Sequence, residues 1–172
     1  MRLDRRQISR VNNTQGRIME DMIIAACREY ERLGVAYIVK VPEPFRVIKN
    51  TDRQRGIATV RFTAKAQPDF VGCIPGGRLV AFEAKYTQSD RIRQGVVTDK
   101  QAEALEGYSD FGAKAYVCCG IGTGFDLQYF MVPWDVWGNM KSIFGHAYAT
   151  PDELRPWQIK ADTAIWVFDL VH

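Results

Sequence analysis

Gln67-Pro68-Asp69-Phe70-Val71-Gly72-Cys73-Ile74-Pro75-Gly76-Gly77-Arg78-Leu79-Val80-Ala81-Phe82-Glu83-Ala84-Lys85 reads as strand, tight turn and strand, with an acid at one end and an acid and an amine at the other. The two apolar runs are short and rich in β-formers, and Pro75-Gly76-Gly77 between them supplies turn chemistry. Folding the hairpin about Gly76 brings Asp69 directly opposite Glu83. Directly opposed residues hold their Cβ atoms roughly 4.5 to 5.5 Å apart. Two carboxylates at that separation repel each other unless a cation or a shared proton relieves them. Side chains alternate along a strand, so Glu83 and Lys85 point one way and Phe82 and Ala84 the other. Two oxygen ligands beside one amine suit Mg²⁺, a hard cation that prefers carboxylates and substrate phosphates. The chemistry that follows is phosphodiester hydrolysis. Two neighbouring carboxylates favour the charged form of Lys85, which gives it an orienting and electrostatic role.

The rest of the chain is read outward from this hairpin. Residues 1–13 hold four arginines and show no periodicity, the pattern of a flexible basic arm, so order is expected from Thr14. Met19, Met22, Ile23, Ala26, Cys27 and Tyr30 then follow helical spacing, with a stop at Gly34. Glu20 lies about a quarter-turn from that stripe, either at the rim of a cleft or in solvent. Val35 to Val39 predicts a strand, Lys49 to Gly56 a basic connection, and Ile57 to Phe62 a second strand. After the hairpin, Thr87 to Val97, with Arg91 and Arg93, reads as a mobile loop. A helix is expected from Thr98 to Phe111, strands over Ala115 to Cys119 and Leu127 to Val132, a helix over Trp134 to Phe144 and a last strand over Ala164 to Phe168. The order implies a mixed α/β sheet flanked by helices.

Charge is distributed unevenly. Residues 1–100 carry 19 Lys/Arg against 11 Asp/Glu, and residues 101–172 carry 4 against 9, so the halves stand at +8 and −5. Lys40, Arg46, Lys49, Arg53, Arg55, Arg61 and Lys65 form the densest cluster, which suits a polyanion or, failing that, an ordinary solvated face. Cys27, Cys73, Cys118 and Cys119 contain no CxxC pair, and His146 and His172 are the only histidines, which argues against a zinc site or a disulfide framework. No apolar run spans a bilayer and the N-terminus lacks a signal-peptide core, so a soluble, intracellular protein is expected.

Gln67-Pro68-Asp69 followed by Phe82-Glu83-Ala84-Lys85 resembles the PD-(D/E)xK nuclease signature, and more narrowly the RecU group of Holliday-junction resolvases. Gly16-Arg17-Ile18-Met19-Glu20, Lys40-Val41-Pro42-Glu43-Pro44-Phe45-Arg46-Val47-Ile48-Lys49 and Lys100-Gln101 support the narrower likeness, which spans about residues 12 to 137. It implies a restriction-endonuclease-like mixed sheet flanked by helices, a homodimer, Mg²⁺ or Mn²⁺, and paired nicking of a four-way DNA junction. By position it makes Asp69 and Glu83 metal ligands, Lys85 the catalytic lysine, Glu20 an accessory acid and Gln101 a polar group facing the site. Thr98-Asp99-Lys100-Gln101 also fits a capping box in which Gln101 caps its own helix, and both roles stay open. The family inserts a protruding stalk before the catalytic hairpin, for which Lys49 to Gly56 looks short, and it commonly has Thr-Thr where this chain has Gln67-Pro68.

The organisation expected is therefore a basic arm over 1–13 and a single nuclease domain over 14–172, with a C-terminal extension from about 138. The DNA-binding residues expected are Arg46, Lys49, Arg53, Arg55, Arg61, Lys65, Arg91 and Arg93. The alternatives are a nuclease of the same fold acting on other DNA, and a non-catalytic DNA-binding module. A two-fold junction favours a homodimer, and the first helix, Trp157 and Trp166 offer either interface surface or core.

Overall fold

The computed structural model describes residues 5–63 and 67–168. In chain order these form α1 (Arg5–Leu33), β1 (Tyr37–Lys40), β2 (Phe45–Asp52), β3 (Ile57–Phe62), β4 (Phe70–Ile74), β5 (Arg78–Thr87), β6 (Ile92–Arg93), α2 (Asp99–Asp110), β7 (Lys114–Ile121), β8 (Gln128–Pro133), α3 (Trp134–Gly138), α4 (Met140–Phe144), β9 (Tyr148–Ala149), α5 (Pro151–Leu154) and β10 (Gln158–Ile159). Six strands make a mixed sheet in the order β1-β4-β5-β7-β8-β10. Only β5 and β7 run parallel; the other neighbours are antiparallel. A parallel pair needs a long crossover, and α2 supplies it.

Strand alternation sorts the core into two layers. On one face Met19, Ile23, Ala26 and Tyr30 of α1 pack on Ile38, Phe70, Val80, Phe82 and Cys118. On the other, Leu105 of α2 and Trp137 of α3 pack on Val117, Cys119, Phe130 and Val132. Phe70 and Phe82 are paired across the β4–β5 hairpin and stack at 4.9 Å between ring centroids. Each buried ring of this kind contributes about 1.5 to 3 kcal/mol by removal from water. Gly72 lets β1 approach β4: a Cβ there would stand 2.2 Å from the Tyr37 carbonyl oxygen. Glu83 and Lys85, in register with Val117 and Cys119 of β7, share the α2 side of the sheet.

Several expectations are corrected. The first helix begins at Arg5, well before Thr14. The basic connection expected over Lys49 to Gly56 begins inside a strand, because Phe45–Asp52 pairs with Ile57–Phe62 in a separate two-stranded sheet. The hairpin is far longer than Lys49 to Gly56 implied; irregular register between Val47 and Lys49 and between Asn50 and Asp52 breaks the alternation that would have marked β2. Thr87 to Val97 is tied down: β6 pairs with β9, Ile92 is buried, and Trp137 Nε1 donates to the Gln94 carbonyl at 3.2 Å. The helix expected over Trp134 to Phe144 divides at Asn139 into α3 and α4. Ala164 to Phe168 is no strand; it makes one bridge, Ala161 to Ile165, and packs over α1. The apolar stripe of α1 is used up in the core, and Trp166 packs edge-on against Tyr30. No helix among the described residues is long and apolar enough to cross a membrane.

Candidate active site

The hairpin register agrees with the fold about Gly76. Phe70 faces Phe82, Val71 faces Ala81, and one step further brings Asp69 beside Glu83. Asp69 Oδ2 accepts from the Ala84 backbone N–H at 2.9 Å, which fixes this carboxylate to the strand carrying the other acid. Gly76 and Gly77 both take positive φ, 84° and 71°, so the turn that sets this register needs glycine.

Glu83 is fully buried. Its Oε1 accepts from Lys85 Nζ at 2.6 Å and from Gln101 Nε2. Its Oε2 is, among the described residues, the buried side-chain polar atom left without a hydrogen-bond partner. Burial, reinforced by the Asp69 charge, pushes the Glu83 carboxyl up from 4.5 to about 7, against the opposing pull of Lys85. Leaving a buried acceptor unpaired costs about 1 to 3 kcal/mol. A buried oxygen of this kind beside a second carboxylate is the donor set a hard divalent cation prefers, so Asp69 and Glu83 fit such an ion. Among the described residues no cluster of three or more acids, histidines and cysteines stands close enough to hold a metal.

Gln101 fills both roles left open by its sequence. Its Oε1 accepts from the Thr98 N–H and from the Thr98 hydroxyl, each at 3.0 Å, which closes the capping arrangement at the start of α2. Its Nε2 reaches Glu83. The cap thus fixes the rotamer that presents the amide to the acid.

Glu20 is not brought to the two acids. It stands on α1, against the other face of the sheet, where its carboxylate pairs with Lys40 of β1. It lines a cleft of about 320 Å³ with Asn13, Gly16, Arg17, Ala84, Lys85 and Tyr86. In the sequence Lys40 and Arg17 stood within segments of the family likeness without a role at the site, and Asn13 had none; the helical spacing of Asn13 and Arg17 from Glu20 was the available signal.

The basic residues separate into two groups. Arg46, Lys49, Arg53, Arg55 and Arg61 lie on the β2–β3 hairpin, with Arg46 directly opposite Arg61 and both exposed. Like charges opposed across strands are destabilising in isolation. Arg91 and Arg93 lie on the segment after β5, where Arg91 pairs with Asp90 and sits 5.1 Å from the Tyr148 ring centroid. Lys65 lies outside the described residues.

The sequence model of recombination protein U, RecU, matches residues 14–142, three quarters of the chain. The chain belongs to the RecU family. Comparison with curated proteins finds no match. Among solved structures, this RecU-family chain is similar to Hjc, a Holliday junction resolvase of the archaeal hyperthermophile Archaeoglobus fulgidus. The likeness has a TM-score of 0.42 at 17% identity and covers 71% of this chain and 75% of that one. RecU membership supports a nuclease acting on Holliday junctions, and the mixed α/β sheet flanked by helices that the element order implied is present.

Proposed function

We propose that this RecU-family chain is a Mg²⁺- or Mn²⁺-dependent endonuclease that resolves Holliday junctions in recombination or phage DNA processing, with Asp69, Glu83 and Lys85 at its centre. The observation carrying this reading is the unpartnered, buried Oε2 of Glu83 beside Asp69. Asp69 and Glu83 would hold the metal. A divalent cation bound there supplies polarisation of the scissile phosphate and a water of lowered pKa. Lys85, whose side chain is 19% exposed, keeps its ammonium on Glu83 and presents its remaining donors to the attacking water and to developing negative charge. Gln101 holds Glu83 Oε1, so the acid keeps one orientation while its second oxygen is available. The opposed arginines of the β2–β3 hairpin would be relieved by phosphates. Two-fold DNA is cut on two strands, which calls for two copies of this one-site chain.

Purified protein with Mg²⁺ on a four-way junction, beside linear duplex, single-stranded and Y-shaped DNA of the same sequences, tests the reading. Junction cleavage in symmetric pairs, absent in excess chelator, is expected. Equal cutting of all four substrates would leave a general nuclease, and no cutting of any would leave a binding module.

A further inference from the structure

Gly16 has no structural reason to be glycine. It sits inside α1, its φ is not among the positive values found in this chain, and a Cβ added there meets nothing within 4 Å. A glycine in a helix interior costs roughly 0.5 to 1 kcal/mol relative to alanine. Neither backbone conformation nor crowding explains accepting that loss.

Its surroundings do. Asn13, Gly16, Arg17 and Glu20 fall at i, i+3, i+4 and i+7, which sets them on one face of the helix. That face lines the cleft whose opposite wall is Ala84, Lys85 and Tyr86 of β5. Arg17 is exposed and makes no ion pair among the described residues, and the Glu20 carboxylate is neutralised by Lys40. The track is therefore cationic at Arg17, polar at Asn13, flat at Gly16, and runs to the lysine of the catalytic strand. Glycine without a structural need marks a place where another molecule's backbone comes close.

We propose that this face of α1 is a track for one sugar-phosphate strand of DNA, and that Gly16 is the point where the strand lies against the helix backbone on its way to Lys85. The inference rests on the nuclease reading and adds to it a binding surface apart from the basic hairpin. Arg17 contacts phosphate, Asn13 donates to phosphate or sugar oxygen, and the missing side chain at 16 sets the depth of the strand.

The test compares the unsubstituted protein with Gly16→Ala, Gly16→Leu and Arg17→Ala, reading the urea midpoint, binding of a synthetic four-way junction in Ca²⁺, and cleavage in Mg²⁺. Gly16→Ala should raise the urea midpoint, because alanine is the better helix former and the space is open. The same variant should lose about tenfold in junction binding or cleavage, and Gly16→Leu about a hundredfold, the scale set by displacing a substrate by about an ångström. Arg17→Ala should weaken binding and reduce its salt dependence. If both Gly16 variants bind and cut as the unsubstituted protein does, the track is refuted while the nuclease reading stands. An unsubstituted protein that neither binds nor cuts the junction would overturn the nuclease reading and the track with it.

Discussion

Replacing Glu83 with glutamine separates two roles of one buried acid, and the metal-free protein should become more stable as it loses activity. Glutamine keeps the shape and, at Oε1, the acceptor used by Lys85 Nζ and Gln101 Nε2. At the other position it turns the unpartnered Oε2 into an amide that donates toward the Asp69 charge. The folded state raises Glu83 from 4.5 to about 7. A raised carboxyl holds its proton more tightly when folded, so native stability falls as pH rises through 4.5 toward 7 and is level beyond. The full interval corresponds to about 3 kcal/mol, worth roughly 6 to 12 °C in Tm for a chain of this size. Thermal unfolding of both proteins in chelator across pH 4 to 9 should therefore show Glu83→Gln gaining on the parent through that window and levelling above pH 7. Mg²⁺ should raise the parent's Tm with concentration by mass action and leave the variant unmoved. Coincident Tm curves at every pH, or an equal Mg²⁺ response in both proteins, would refute the picture of a charge-strained acid that a cation relieves.

Asp69→Asn and Glu83→Gln should each lower the cleavage rate by roughly two or three orders of magnitude, measured in single turnover on a junction, with binding retained. Arg46→Ala combined with Arg61→Ala should reduce the slope of log affinity against log salt by about 2 in fluorescence anisotropy titrations. Gln101→Ala removes a helix cap and a donor to Glu83 together, so it should cost about 1 kcal/mol in urea unfolding and also slow cleavage. Light scattering at micromolar concentration should report about twice the chain mass of 19.6 kDa.

The β4–β5 hairpin was legible because its information is local: a glycine turn fixes the register, strand alternation fixes the faces, and the placing of Asp69, Glu83 and Lys85 follows from both. The capping box at Thr98 was legible for the same reason, though its sequence could not tell that the amide of Gln101 reaches across to β5. Failures came where distant contacts decide. Ile92 is flanked by polar and charged residues, and contacts made far along the chain, its pairing with Ala149 and the Trp137 bond to Gln94, explain why that stretch is ordered. Ala164 to Phe168 has every local mark of a strand, yet its backbone bonds go elsewhere: Ile165 N–H donates to the carbonyl of Met22 in α1. For Glu20 a cleft rim and open solvent both stood open; it lines a cleft, and Lys40, which pairs with that acid, lies twenty residues away.

The clasp between β6 and β9 has a bearing on when the site takes shape. Strand β5 ends at Thr87, the next residues are fastened by Tyr148 and Ala149, and Gln94 N–H is held by the carbonyl of Ala147. During synthesis the acids and lysine emerge together, while the fastening that steadies the segment beyond them arrives roughly fifty residues, or a few seconds, later. Pairing over so long a separation is slow to form, since loop closure comes before any reward. The chain thus brings Asp69, Glu83 and Lys85 together early and fastens the segment beyond them only after Ala149 has been made.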